Sequence, residues 1–133
     1  FKTSGGKYVA PTLLENALKA SLFIEQVMVV GENRKFPAAL IVPDAVTVEE
    51  WCKRHNHAFP GLDGIANDAV IRERLEKEVA DLMAPFAKWE QVKKVHFLPA
   101  PFSIEGGELT PTLKLKRKPI KTKYAEAIEG MYA

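Results

Sequence analysis

Gln26-Val27-Met28-Val29-Val30 and Phe36-Pro37-Ala38-Ala39-Leu40-Ile41-Val42 are two apolar stretches separated only by Gly31-Glu32-Asn33-Arg34-Lys35. Branched aliphatic residues fit the pleated, half-buried surface of a strand. A short polar spacer containing glycine suits a chain reversal. The pair therefore reads as an antiparallel hairpin, with Pro43 and Asp44 ending its second strand. The rest of the chain is ordered around this hairpin.

Before it, Lys2-Thr3-Ser4-Gly5-Gly6-Lys7-Tyr8-Val9 reads as a glycine turn between short extended pieces. Pro11 suits the first turn of a helix. Thr12 with Glu15 has the spacing of a capping box, and Leu14, Leu18 and Leu22 recur on one helical face. After the hairpin, Thr47 and Glu50 repeat the capping-box spacing ahead of a helix through Trp51 to about Arg54. Pro60, Gly61 and Gly64 mark a loop. Asn67 or Asp68 is positioned to cap a longer helix with the stripe Ile71, Leu75, Val79, Leu82, Met83 and Phe86. Val92 to Leu98 reads as a third strand, closed by Pro99 and Pro101. Phe102 to Leu113 reads as loop, and Pro119 opens a last helix with Ile120, Tyr124 and Ile128 on one face. The expected class is α+β: a small three-stranded sheet built on a β-hairpin and flanked by helices.

Composition narrows the function classes. The chain has 133 residues, of which 47% are hydrophobic and 27% charged, with a net charge of +2. That size suits one domain, and the charge does not suggest a dedicated nucleic-acid binder. No apolar run approaches the roughly 20 residues of a membrane helix. Cys52 is the only cysteine, which excludes an internal disulfide and fits a reducing, cytoplasmic setting. His55 and His57 lie close together with no second ligand pair, so no metal site is expected. Phe1-Lys2-Thr3-Ser4 is neither a start methionine nor a signal peptide, as in a piece of a longer protein.

Two segments combine flexible backbone with cations. One is Ser4-Gly5-Gly6-Lys7. The other is Gly106-Gly107-Glu108-Leu109-Thr110-Pro111-Thr112-Leu113-Lys114-Leu115-Lys116-Arg117. Glycine lets a backbone approach a ligand closely, and lysine offers a mobile charge for phosphate oxygens. Alone, the first segment reads as a plain turn. In the second, an extended strand places Leu113 and Leu115 on one side and Lys114 and Lys116 on the other, which is also the pattern of an edge strand with solvated lysines. From Lys114 to Lys123 the basic residues are Lys114, Lys116, Arg117, Lys118, Lys121 and Lys123. A run of that kind is ordinarily a solvated face, and its extreme alternative is a small RNA-binding domain. No aromatic interleaving or RNA-binding fingerprint accompanies it.

Together the segments resemble a family. Thr3-Ser4-Gly5-Gly6-Lys7-Tyr8-Val9-Ala10-Pro11 followed by Leu14-Glu15 resembles a late motif of the adenylate-forming enzymes. Gly107 to Arg117, with Tyr124 and Ile128-Glu129 behind, resembles the end of a long-chain fatty-acid CoA ligase (AMP-forming). The stretch from Val48 to Phe86 also resembles the long-chain branch, so the likeness covers essentially the whole chain.

The resemblance implies a C-terminal lid domain spanning residues 1–133, whose large N-terminal domain lies outside this sequence. The family joins a fatty acid to ATP as an acyl adenylate and then transfers the acyl group to CoA, the lid turning between the steps. It implies Lys114 as the catalytic cation, in a loop supported by Gly106, Gly107, Thr110 and Pro111, with the glycines expected to be mobile. Many relatives have glycine just before that lysine; here Leu113 stands there, and Lys116 is the alternative cation. It implies Ser4, Gly5, Gly6 and Lys7 along the path of the CoA pantetheine arm, with Lys7 or Arg34 as candidates for a CoA phosphate. ATP, Mg and CoA belong to the full enzyme, none being expected to bind this segment alone. The implied partner is its own N-terminal domain, not nucleic acid, and the implied location is cytoplasmic with scope for peripheral membrane association. A ligase that passes its acyl adenylate to a carrier protein is the alternative within the superfamily.

Overall fold

The computed structural model describes residues 1–133. The strand β2 (Ala38–Pro43) is the middle of a three-stranded sheet of order β1-β2-β3 and is buried at all its positions. A strand covered on both faces has no solvent side, which is why Ala38–Val42 lacks polar alternation. On one flank β1 (Ile24–Val30) runs antiparallel to it, with Val27 opposite Ile41 and Val29 opposite Ala39. This is the expected hairpin. On the other flank β3 (Lys94–Phe97) runs parallel, with Ala39 opposite Val95 and Ile41 opposite Phe97. A parallel neighbour needs a long crossover. It is supplied by α2 (Ala45–Arg54), a 3-10 turn over Leu62–Asn67 and α3 (Ala69–Met83).

Because strand side chains alternate, the sheet feeds two cores. Val27, Val29, Ala39, Ile41 and Phe97 pack with Leu14 and Leu18 of α1 (Pro11–Leu18), Val48 and Cys52 of α2, and Ile71, Leu75, Val79 and Met83 of α3. Met28, Val30, Ala38, Leu40 and Val42 pack on the other side with Phe102, Leu109, Ile120 of α4 (Arg117–Lys123) and Met131 of α5 (Ala125–Tyr132). Each fully buried aliphatic side chain contributes about 1.5–3 kcal/mol, so the sheet is held from both faces. No helix is long and apolar enough to cross a membrane.

Several local expectations are corrected. Asp44, not Thr47, caps α2, accepting from the Thr47 N–H at 3.0 Å. Of the two candidates for α3 it is Asp68 that caps, accepting from Ile71 N–H at 3.0 Å. Thr12 and Glu15 form no capping box: Ala10 is the N-cap, without a side-chain bond. Leu22 lies beyond the end of α1 and is exposed. The last helix starts at Arg117, accommodates Pro119 in its first turn, and breaks at Tyr124 into α4 and α5. The loop marked by Pro60, Gly61 and Gly64 runs into the 3-10 turn. β3 is shorter than Val92–Leu98, although both end residues are buried beside it.

Glu15 has a different task. β1 is an edge strand, and the Val29 N–H donates to the buried Glu15 carboxylate at 2.8 Å. The same carboxylate receives both terminal nitrogens of Arg117, each at 2.7 Å. The planar guanidinium meets the planar carboxylate in the two-pronged geometry that is strongest for such pairs. One buried group thus joins α1, β1 and the start of α4. Glu15→Ala leaves the Val29 amide and a half-buried Arg117 charge unpaired. It should destabilise the domain by about 2 kcal/mol or more, measured by urea denaturation; a loss within error contradicts this account.

At the other end of α5, the Tyr132 hydroxyl donates to the Phe36 carbonyl at 2.9 Å. Burial pushes its phenol up to about 12, with Arg34 opposing the rise and Glu129 adding to it. An unfolded tyrosine titrates near 10. The raised folded value favours the protonated phenol, so its contribution is complete below pH ~10 and disappears as pH rises through ~12. Stability should therefore fall over that window, and Tyr132→Phe should flatten the fall; an identical alkaline profile in both proteins refutes it.

Candidate functional site

The first candidate segment is a small hairpin. Lys2 pairs with Tyr8 across it, Thr3 N–H donates to the Lys7 carbonyl at 2.9 Å, and Gly6 N–H to the Thr3 carbonyl at 3.0 Å. Ser4, Gly5, Gly6 and Lys7 are all exposed at its tip. Gly6 has φ +78°, in the left-handed region glycine tolerates, and a Cβ there would meet nothing within 4 Å. The tip is fastened to the β1–β2 turn: Ser4 N–H donates to the Arg34 carbonyl at 2.8 Å and Asn33 N–H to the Lys2 carbonyl at 2.9 Å. Arg34 is ion-paired with Glu129 of α5 and lies over the Tyr132 ring, 4.8 Å from its centre. The Lys7 ammonium lies 5.2 Å from the centre of the half-exposed Trp89 ring.

The second segment is a turn tied by its own backbone. Gly106 N–H donates to Ser103 Oγ at 2.9 Å and Gly107 N–H to the Ile104 carbonyl at 3.0 Å. A Cβ on Gly106 would stand 2.7 Å from Glu108 Oε1, and Gly107 has φ +76°. This geometry favours glycine at both positions, and the pair forms a hydrogen-bonded turn. Leu109 bridges to Leu115, and Lys116 N–H donates to the Glu108 carbonyl at 2.8 Å.

Lys114 sits at the far end of this turn. Its carbonyl accepts from Thr110 N–H at 2.8 Å, and its N–H donates to Thr110 Oγ1 at 3.0 Å. Thr110 Oγ1 is also 3.1 Å from Thr112 Oγ1. The backbone of Lys114 is therefore pinned while its exposed ammonium has no ion-pair partner. The expected edge strand is not formed. Leu113 has φ +65°, which breaks the alternation: Leu115 is half-buried against the second core, and Leu113 is 66% exposed. A leucine in that region is strained by about 1–3 kcal/mol. Pro111 is exposed on the rim.

The structure divides the basic run. Arg117 pairs with Glu15, Lys121 with Glu32 at 3.9 Å, and Lys123 with Glu108 at 3.3 Å. Lys114, Lys116 and Lys118 have no such partner, so the run is not one continuous free basic face. Sequence reading gives Glu15 a capping role it does not have and gives Glu108 no role. The Glu108 carboxylate is buried, accepting from Ser103 N–H at 3.2 Å with the Tyr124 hydroxyl at 3.4 Å. Burial, then the negative Glu108, pushes the Tyr124 phenol up, with Lys123 opposing. The only sign of Glu108 in the sequence is its position directly after two glycines that leave it room.

Lys114 opens onto a groove of about 980 Å³, bounded by Glu15 and Lys19 of α1, Glu25 and Gln26 of β1, and Ile104 and Leu113. Gln26 closes one side, exchanging two hydrogen bonds with the Phe102 backbone at 2.6 and 3.2 Å. The groove meets the start of β1, whereas the glycine hairpin is fastened beyond its end. The two candidate segments thus meet different parts of the domain surface. No group of three His, Cys, Asp or Glu side chains comes together to hold a metal.

The comparisons with known proteins agree with this architecture. A long-chain-fatty-acid–CoA ligase of Mycobacterium tuberculosis, FadD15, is 37% identical over 131 residues, covering 98% of this chain and 22% of its own. Human long-chain-fatty-acid–CoA ligase 6 is 32% identical over 140 residues, covering 100% and 19%. This chain thus spans about a fifth of the length of these relatives. Among solved structures, the A-PCP didomain of a carboxylic acid reductase from Segniliparus rugosus, in complex with AMP, superposes with a TM-score of 0.76 at 26% identity, covering 99% of this chain and 17% of that one. The family model for the AMP-binding enzyme C-terminal domain matches residues 2–133, and the chain belongs to that family.

Proposed function

We propose that this chain is the C-terminal lid domain of a long-chain fatty-acid CoA ligase, with residues 1–133 as one unit beside a larger ATP-binding part. The observation that carries the reading is the Lys114 turn: a backbone pinned by Thr110 under an ammonium with no partner of its own. In the first step a fatty-acid carboxylate oxygen forms a bond to the α-phosphorus of ATP, and the bond to the β-phosphate oxygen breaks to release pyrophosphate. Negative charge redistributes around phosphorus as this happens. A cation already in place stabilises that transition state more than the ground state. Lys114 is the residue for this role, with Gly106, Gly107, Thr110 and Pro111 shaping the turn.

In the second step the CoA sulfur attacks the acyl carbon, its proton is lost, and the bond to AMP breaks. Ser4, Gly5, Gly6 and Lys7 are proposed to border the pantetheine path. The exposed tip has side-chain-free backbone at Gly5 and Gly6, and Lys7 adds a cation for a phosphate. Magnesium accompanying ATP is proposed to be held by the larger part. Delivery to a carrier protein, the second reading, is suggested by the reductase likeness at 26% identity, but the ligases stand higher at 37% and 32%. Release of acyl-CoA by the full-length protein separates the two.

Two variants of the full-length enzyme test the assignment. Lys114→Ala should lower pyrophosphate release from ATP and palmitate by about a hundredfold or more, while sparing thioester formation from supplied acyl adenylate. Equal loss of both half-reactions contradicts the role given to Lys114.

Gly5→Leu is the complementary probe. Gly5 lacks the positive φ of Gly6, and its nearest foreign atom is Thr3 Oγ1 at 4.0 Å. The substitution therefore adds bulk at the tip without backbone strain. It should slow thioester formation and leave pyrophosphate release intact; unchanged thioester formation removes the hairpin from the CoA path.

A further inference from the structure

We infer that Leu113 is a positioning residue for the adenylation step: its side chain seats Lys114 by packing against the ATP-binding part of the same enzyme. The inference rests on the reading of Lys114 given above. Within this domain Leu113 is unfavourable twice over. Its φ of +65° lies where glycine is at ease and leucine is not. Its side chain is 66% exposed, whereas the neighbouring Leu109 and Leu115 are drawn into or against the second core. A residue that brings the domain neither backbone comfort nor burial gains its contact elsewhere.

The place of that contact follows from the turn. Leu113 N–H donates to the Thr110 carbonyl at 2.8 Å, and the next residue is pinned by Thr110 from both its N–H and its carbonyl. The three-bond clamp carries Leu113 and Lys114 as one rigid tip. Whatever surface receives the Lys114 ammonium must receive the Leu113 side chain a few ångströms away. Leu113 also lines the groove into which Lys114 opens, together with Ile104, which is 43% exposed. The tip therefore offers one cation beside an apolar shoulder. Removing that shoulder from water when the tip docks favours the docked arrangement and no other, so it acts on the first half-reaction alone.

The experiment uses the full-length enzyme with Leu113→Asn, Leu113→Met and Lys114→Ala. Asparagine tolerates the left-handed backbone but removes the apolar shoulder. Methionine keeps apolar volume in a flexible form. Leu113→Asn should lower kcat for pyrophosphate release by roughly ten- to a hundredfold, the range for exposing a buried leucine side chain. KM for ATP and the rate of thioester formation from supplied acyl adenylate should remain near those of the parent. Leu113→Met should recover most of kcat. Parent-like adenylation in Leu113→Asn overturns the inference, as does equal loss of both half-reactions or failure of Leu113→Met to recover activity. An unaffected Lys114→Ala enzyme would instead overturn the reading on which it rests.

Discussion

The Glu15 carboxylate is the constraint on which both candidate segments depend. It takes the Val29 N–H and both arms of Arg117, bringing together residues separated by 102 positions in the chain. Through α1 it stands five residues after Ala10 and the glycine hairpin; through Arg117 it stands at the end of the lysine turn. Burying an ion pair loses hydration that the mutual attraction does not fully restore. Its value here is geometric. A two-pronged pair with a third donor on the same carboxylate admits one relative placement of α1, β1 and α4, where an apolar contact would admit several. The same bond covers an outward amide of an edge strand, a group otherwise open to pairing with another chain.

The two segments also carry hydrogen bonds of their own: the hairpin tip to Arg34 and Asn33 of the β1–β2 turn, the glycine turn to Ser103 and Ile104. The hairpin is fastened to the β1–β2 turn, whereas the Lys114 turn faces a groove lined by Glu25, Gln26 and Val27 of β1. If both serve a single reaction centre in succession, a turn of the whole domain would present one and then the other.

Much of this was legible in the residues, for physical reasons that differ by element. The hairpin was, because two apolar runs across a short polar turn leave few other pairings. The apolar stripe of α3 was, because Ile71, Leu75, Val79 and Met83 follow the helical period. The parallel placement of β3 was not, since nothing in Lys94–Phe97 records which edge of the hairpin it joins. The capping sites were misread where an aspartate stood just outside the expected box: Asp44 lies one turn before Thr47. Glu15 was misread because the spacing of a capping box is identical whether the carboxylate turns back to its own helix or outward to β1 and Arg117. Both lysine-bearing segments stand out only through a family likeness; charge and glycine content alone leave the first as a plain turn and the second as an edge strand with solvated lysines.

The basic run shows most clearly what a charge pattern omits. Six cations in ten residues look equivalent in sequence, but Arg117 and Lys123 pair with the buried carboxylates of Glu15 and Glu108, while Lys121 only approaches the exposed Glu32 at 3.9 Å. The two buried pairs hold α4 against the rest of the domain. A cation used for structure in this way is engaged before any substrate arrives. Lys114 is separated from them by a bend: the left-handed conformation of Leu113 swings the chain out of the strand that alternation predicts. The ammonium then remains free while Thr110 fixes its backbone. Ordering a free lysine side chain on a substrate costs up to about 2 kcal/mol of rotamer entropy, and mobile backbone would add to that. With the backbone already fixed, only the side chain is left to order. Strain at Leu113 and preorganisation at Lys114 are therefore two aspects of the same turn, and relaxing one would loosen the other.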